Sequence, residues 1–198
     1  MIRFKNIMSQ TLSIEVEGER LTDAEVLSMA MLLLLAGNET TTNLIVNFVR
    51  LMEGSPNEGD QLREHPEFVA GAVEETLRLR NSIRNIDRFA LRDVQLGDTT
   101  IPAGGLVVIW LSAANRDPAA FAEPDKFLLE RSGTKRHMGF GYGMHMCLGA
   151  PLARMETQTA AREIVTRTKA IELLGPPELG PNANFDVINR QIARFVAR

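Results

Sequence analysis

Cys147 is the only cysteine in the chain, and it stands in the run Phe140-Gly141-Tyr142-Gly143-Met144-His145-Met146-Cys147-Leu148-Gly149. This run is the richest in chemistry. A glycine-punctuated loop leads directly into a helical pattern, so the thiol faces the free N–H groups and the positive dipole end of a helix, a setting suited to an anionic metal ligand. Gly141, Gly143 and Gly149 carry no side chain and let the backbone come close to something flat and large. Other readings of the thiol stay open. Most lone cysteines are small buried hydrophobes. A thiol protease needs a paired base, and His145, two residues away on a loop, is not a specific signal for one. Zinc wants several ligands, and one Cys with three His in the whole chain is a poor supply.

A second group is Ala36-Gly37-Asn38-Glu39-Thr40-Thr41-Thr42. Glycine, an acid and three β-branched hydroxyls interrupt an otherwise apolar helical pattern. Glu39-Thr40 could be a cap-like pair or a solvated face, but a cap has little purpose in mid-helix, and Gly37 costs about 1 kcal/mol there. A local rule broken without structural gain points to function. A threonine hydroxyl can bond back to the carbonyl one turn earlier and make room beside an acid able to relay protons. A third group, Glu75-x-x-Arg78, is by itself an ordinary pair three residues apart on one helix face.

These residues need long helices to position them. Thr22-Asp23-Ala24-Glu25 is a capping box, followed by apolar Val26, Leu27, Ala30, Met31 and Leu34. It predicts a helix from about residue 23 to 52, roughly 45 Å long, stopping at Gly54 and Pro56. Pro66 can start the next helix, to about Arg80, with Val69, Val73 and Leu77 as its stripe. Residues 89–96 and 106–111 read as short strands, residues 151–168 as a helix, and residues 171–174 and 192–196 as two more short strands. The fold class is mainly α with small antiparallel β. Residues 1–20 are weakly patterned, leaving one domain over residues 21–198.

Composition bounds the rest. The chain has 198 residues, 44% hydrophobic and 24% charged, ordinary for a globular domain with a core of its own. A net charge of −3 gives no bulk attraction to nucleic acid or acidic lipid. One cysteine forms no internal disulfide and fits a reducing cytoplasm. The longest apolar run, residues 29–36, is too short for a bilayer and is followed by Asn38 and Glu39. The expectation is a soluble, cytoplasmic chain with no membrane and no nucleic-acid partner.

In combination the motifs resemble the cytochrome P-450 family of heme-thiolate monooxygenases, in its soluble bacterial or archaeal form. The matching residues are Ala36-Gly37-Asn38-Glu39-Thr40-Thr41, Glu75-Thr76-Leu77-Arg78, Ala114-Asn115-Arg116-Asp117-Pro118 and residues 140–149, in the family's order and at family-like separations. The resemblance runs from about Leu21 to the end and implies the C-terminal, heme-binding half of that fold. It implies heme b (iron protoporphyrin IX) with Cys147 as its axial ligand, a thiolate that pushes electron density toward O–O cleavage. It places Ala36, Gly37, Phe140, Gly141 and Gly149 against the heme. Arg88, His137 and His145 would hold the propionates, although His137 also reads as an ordinary loop histidine. Glu39 and Thr40 would be the acid–alcohol pair that delivers protons to dioxygen. Glu75, Arg78 and Arg131 would form a structural ion network. Leu33, Ser82, Ile83, Val187 and Ile188 would contact the substrate.

The implied reaction inserts one oxygen atom of dioxygen into a small apolar organic substrate. The electrons would come from a separate ferredoxin or flavoprotein, because the chain carries no flavin, nicotinamide or iron–sulfur motif. The alternatives are a truncated heme-binding fragment without turnover and a peroxide-driven oxygenase. Two departures from the family pattern stand out. Arg80-Asn81-Ser82-Ile83 lacks the proline often found after the Glu-x-x-Arg helix, and nothing in residues 1–20 can replace the half of the fold that covers the heme. The first long helix would then be partly bare.

Overall fold

The computed structural model describes residues 15, 16, 18–181 and 184–198. The expected weakly patterned segment therefore lies largely outside the described residues. Glu15–Val16 (β1) and Glu19–Arg20 (β2) form an antiparallel pair at its end. The chain divides into two compact units, residues 1–39 and 40–198.

The capping box forms as its residue types require. The Thr22 N–H donates to Glu25 Oε2 at 2.8 Å and the Glu25 N–H donates back to Thr22 Oγ1 at 3.3 Å, so two N–H groups with no helical acceptor are satisfied. Helix α1 follows as Asp23–Gly54, continuous through Gly37 and the threonines. In its N-terminal part Leu27, Met31, Leu32, Leu34 and Leu35 are exposed, the bare apolar surface the sequence led us to expect. By length and composition alone α1 could cross a membrane. The eight-residue apolar run understates the helix that contains it. A core helix of a soluble protein meets the same test, so this sign is weak.

Within residues 40–198, Leu44, Phe48, Val49 and Met52 bury one stripe of α1, repeating at three to four residues as a helix face must. They belong to one core with Leu62, Val69, Ala72, Val73, Leu77, Phe127, Leu129, Ala161, Val165 and Ile171. Leu62 comes from a helix the sequence reading missed, Pro56–Glu64 (α2). Its single buried large apolar residue gives no periodicity to read. The helix expected from Pro66 is split into a 3₁₀ turn, Pro66–Phe68, and α3, Val69–Leu79. In the turn the Phe68 N–H reaches only three residues back, to the His65 carbonyl.

Gly71 lets α3 approach the following chain. A Cβ there would stand 2.4 Å from the Leu129 carbonyl oxygen.

The sheets are small, two-stranded and antiparallel, as expected. Strand β3 is Asn85–Phe89 and pairs with β6, Leu106–Trp110, so the strand placed at 89–96 starts four residues early and ends at its first residue. The chain leaves that ladder at Ala90, whose carbonyl takes the N–H of Gly104 instead. A separate hairpin, Val94–Leu96 (β4) with Thr99–Ile101 (β5), turns at Gly97. A short helix, Leu111–Ala114 (α4), precedes a long irregular stretch, and α5 is Ala150–Arg167. Thr168–Leu173 (β7) pairs with Ala193–Ala197 (β10), and Glu178–Leu179 (β8) pairs with Ile188–Arg190 (β9).

Candidate functional site

Cys147 is exposed, three residues before α5. Its loop closes on itself: the Cys147 N–H donates to the Phe140 carbonyl at 2.9 Å. Gly141 and Gly143 have φ of 71° and 75°, the left-handed region where a side chain is strained, so the turn that brings residue 147 back to residue 140 depends on them. A 3₁₀ turn, Gly143–His145, lies between. Tyr142, Met144, Met146 and Leu148 are all exposed around the thiol, Met144 at 94% and Leu148 at 91%. An apolar surface of this kind with one soft donor suits a large apolar partner carrying a metal.

The donor set narrows what that partner can be. Among the described residues no three His, Cys, Asp or Glu side chains come together to hold a metal. A metal on Cys147 must therefore bring its other ligands with it, as iron does in a porphyrin. At Gly149 a Cβ would meet only the Cys147 sulfur, at 3.9 Å, and at Gly141 only the His145 carbonyl, at 3.8 Å, so both backbones lie open on the loop. These residues fit a heme.

Two adjacent carboxylates of α3 support the loop from below. Glu75 accepts Arg78 Nε and Nη2, each at 2.8 Å, Arg131 Nε at 2.7 Å and the Leu128 N–H at 3.2 Å. Arg78 also donates to the carbonyls of Asn115, Pro124 and Lys126. The structure thus joins Glu75, Arg78 and Arg131, and Asn115 links them to the loop, since its Oδ1 accepts the Met138 N–H at 2.6 Å.

Glu74, the neighbouring residue, was not singled out in the sequence. It accepts both Arg154 Nε at 2.6 Å and Nη2 at 2.9 Å, and lies 3.2 Å from His137 Nε2. Burial alone would raise its pKa. The hydrogen bonds from His137 and Arg154, with the charge of Arg154, outweigh burial and lower it to about 2. The hydrogen bonds that Arg154 donates to Glu74 in turn raise the pKa of Arg154. The signal available for this pair was Glu74-Glu75, two acids on one buried turn, together with a basic residue in the first turns of the helix after the cysteine.

His137 and Phe140 both take part in this network. His137 is buried, its Nδ1 accepts the Gly139 N–H at 3.0 Å and its Nε2 faces Glu74. Nδ1 as acceptor leaves the proton on Nε2, and neither nitrogen remains for a propionate. Phe140 is half-buried against the core, with the Arg154 guanidinium 4.6 Å from its ring centre. It contributes its carbonyl to the cysteine loop while its ring packs inward. Arg88 on β3 and His145 are both exposed, and Arg88 Nη1 donates to the Asp87 carbonyl at 2.8 Å.

The expected substrate residues of the second unit lie together. Ser82 Oγ donates to the Thr40 carbonyl at 2.7 Å, Ile83 bridges to Phe185, the Asp186 N–H donates to the Ser82 carbonyl at 2.8 Å, and the Ile188 N–H donates to Asn43 Oδ1 at 2.9 Å. Val187 sits within the same segment, its carbonyl accepting the Gly180 N–H at 2.9 Å. Thr40 opens this unit. Leu33, Ala36, Gly37 and Glu39 belong to the first, where Leu33 is half-buried and the other three are exposed.

Comparison with known proteins follows the same residues. The family model described as Cytochrome P450 matches residues 60–170. "Cytochrome P450 109" of Bacillus spizizenii is 40% identical over 168 residues, covering 85% of this chain and 41% of that protein. "Cytochrome P450 107B1" of Saccharopolyspora erythraea is 40% identical over 194 residues, covering 98% and 47%. Among solved structures, Cytochrome P450 CYP109Q5 from Chondromyces apiculatus superposes with a TM-score of 0.90 at 37% identity, over 96% of this chain and 49% of that one. The chain spans about half the length of the relatives it matches.

Proposed function

We propose that this chain, which belongs to the cytochrome P450 family, is the heme-binding part of a monooxygenase that inserts one oxygen atom of dioxygen into a small apolar organic substrate. The observation that carries the reading is the exposed Cys147 thiol, set in a glycine-turned apolar loop, with no group of three metal-ligating side chains among the described residues. When bound, heme b supplies the activation of dioxygen, and the protein supplies binding, orientation and burial. The Cys147 thiolate would hold the iron. Gly141 and Gly149 keep the backbone out of the way of a flat group. Arg88 and His145 supply donors for carboxylates, which make short charge-assisted bonds. Glu39 and Thr40 would hold and pass protons, while Ala36 and Gly37 would offer a surface without bulk. Ser82, Ile83, Val187, Ile188 and Leu33 line the apolar substrate. A ferredoxin or flavoprotein brings the electrons, in the cytoplasm.

A second reading, heme binding without turnover, is favoured by the exposed apolar Leu27, Leu34 and Leu35 of α1, a surface that the chain by itself leaves bare. One experiment separates them. The chain is loaded with heme, reduced, and exposed to carbon monoxide. A thiolate-type Soret band, lost in Cys147→Ser, is the expected result; a histidine-type band or no binding overturns the ligand assignment. Product formed from an apolar substrate and an electron donor, with oxygen use uncoupled from product in Thr40→Ala, supports turnover. Ligation without product supports the second reading.

A further inference from the structure

We propose that Glu74 is a positioning residue that clamps both ends of the cysteine loop and thereby fixes where the Cys147 sulfur is presented. The proposal rests on Cys147 as the ligand and adds what holds it in place. The loop leaves α3's neighbourhood at His137 and returns at Arg154, ten residues before the thiol and seven after it. One carboxylate grips both: Oε2 lies 3.2 Å from His137 Nε2 and 2.9 Å from Arg154 Nη2, and Oε1 lies 2.6 Å from Arg154 Nε. The bidentate fork fixes the guanidinium plane as a single bond would not. The clamp then reaches the loop interior through rings. The Arg154 guanidinium sits 4.6 Å from the centre of Phe140, and the His137 ring sits 6.0 Å from it. Phe140 in turn accepts the Cys147 N–H. The path from Glu74 to Cys147 is therefore continuous through Arg154, Phe140 and one backbone hydrogen bond.

The fit is tight on the His137 side as well. A Cβ on Gly139 would stand 2.9 Å from the Leu77 carbonyl oxygen and 3.0 Å from His137 Nδ1, so the chain presses onto α3 just where His137 is held. Glu75 does a different task. It gathers Arg78, Arg131 and the 115–128 stretch and reaches the loop through Arg78 and Asn115. Adjacent acids thus divide the work, Glu75 fastening the irregular segment and Glu74 fastening the segment that bears the ligand.

Amide hydrogen exchange on the chain tests this without heme. Glu74→Gln, which keeps shape and removes charge, is expected to speed exchange across residues 138–149 by roughly tenfold or more, the effect of losing a charge-assisted bond. Exchange in the β7–β10 ladder is expected to rise far less, and Arg154→Lys, which keeps the charge, retains part of the loop's protection. Exchange that rises equally in the ladder marks a general stability role and overturns the proposal, as does an unchanged loop. Should Glu74→Gln not fold, Arg154→Gln at its more exposed end carries the same two outcomes. With heme loaded, Glu74→Gln is expected to shift part of the ferrous carbon monoxide spectrum away from the thiolate form, and an undiminished thiolate band refutes the role in ligand placement. Failure of the unsubstituted chain to bind heme counts instead against the function proposed above.

Discussion

Arg78 meets Glu75 with two donors at once, Nε 2.8 Å from Oε2 and Nη2 2.8 Å from Oε1, and both side chains are wholly buried. Removing one partner leaves the other as an uncompensated charge in the core, which costs about 3–5 kcal/mol. Arg78→Lys is expected to cost nearly as much, because an ammonium cannot supply the planar fork that also reaches the carbonyls of Asn115, Pro124 and Lys126. Urea unfolding measures both. A loss under 1 kcal/mol for Arg78→Lys means the fork is not what holds these segments.

Gly71→Ala brings a methyl group to within 2.4 Å of the Leu129 carbonyl oxygen. Backbone cannot yield as a side-chain end can, so the substitution is expected to cost about 1–3 kcal/mol. Gly54→Ala is the control. Nothing stands within 4 Å of its Cβ position, and it is expected to be neutral or to stabilise by up to about 1 kcal/mol. Equal midpoints for the two variants would refute the close approach of α3 to residue 129.

Glu74 titrates near pH 2 in the folded chain against an ordinary 4.5. On acidification the unfolded chain takes up this proton first, so falling pH favours unfolding. The contribution is complete above about pH 4.5 and is lost as pH falls toward 2. Glu74→Gln removes it, so stability against pH is expected to be flatter for the variant in that window. Parallel curves for the two proteins between pH 5 and 2 would count against it.

Some of this was legible in the residues and some was not, for identifiable reasons. Thr22 and Glu25 announced a helix start through a reciprocal pattern that needs only local geometry, and the hydrogen bonds follow it. The 23–52 helix was readable from its capping box, the apolar spacing from Val26 to Leu34 and the stop at Gly54 and Pro56. Pro56–Glu64 was not, having almost no apolar pattern. Asn85–Phe89 is polar enough to read as a loop and becomes a strand only because Leu106–Trp110 lies beside it. The contact of His137 with Glu74 was not readable, because the two are 63 residues apart in sequence. Glu74 itself is hidden by Glu75, whose spacing to Arg78 draws the attention. Tertiary partners of this kind leave no local signature.

Gly37 sets stability against function. It lies inside α1 with nothing within 4 Å of where a Cβ would stand, and glycine in a helix interior costs about 1 kcal/mol relative to alanine. Gly37→Ala is therefore expected to stabilise the chain alone by about that amount, read as a higher midpoint in urea. If Gly37 is small because a heme lies against it, the same methyl group must weaken heme binding, and a titration with heme is expected to show a several-fold loss of affinity. The two effects have opposite signs, which no purely structural account of Gly37 produces. A variant that is more stable and binds heme as well as before would remove Gly37 from the site and leave the glycine unexplained. A variant that is less stable would show that something presses on α1 at that position.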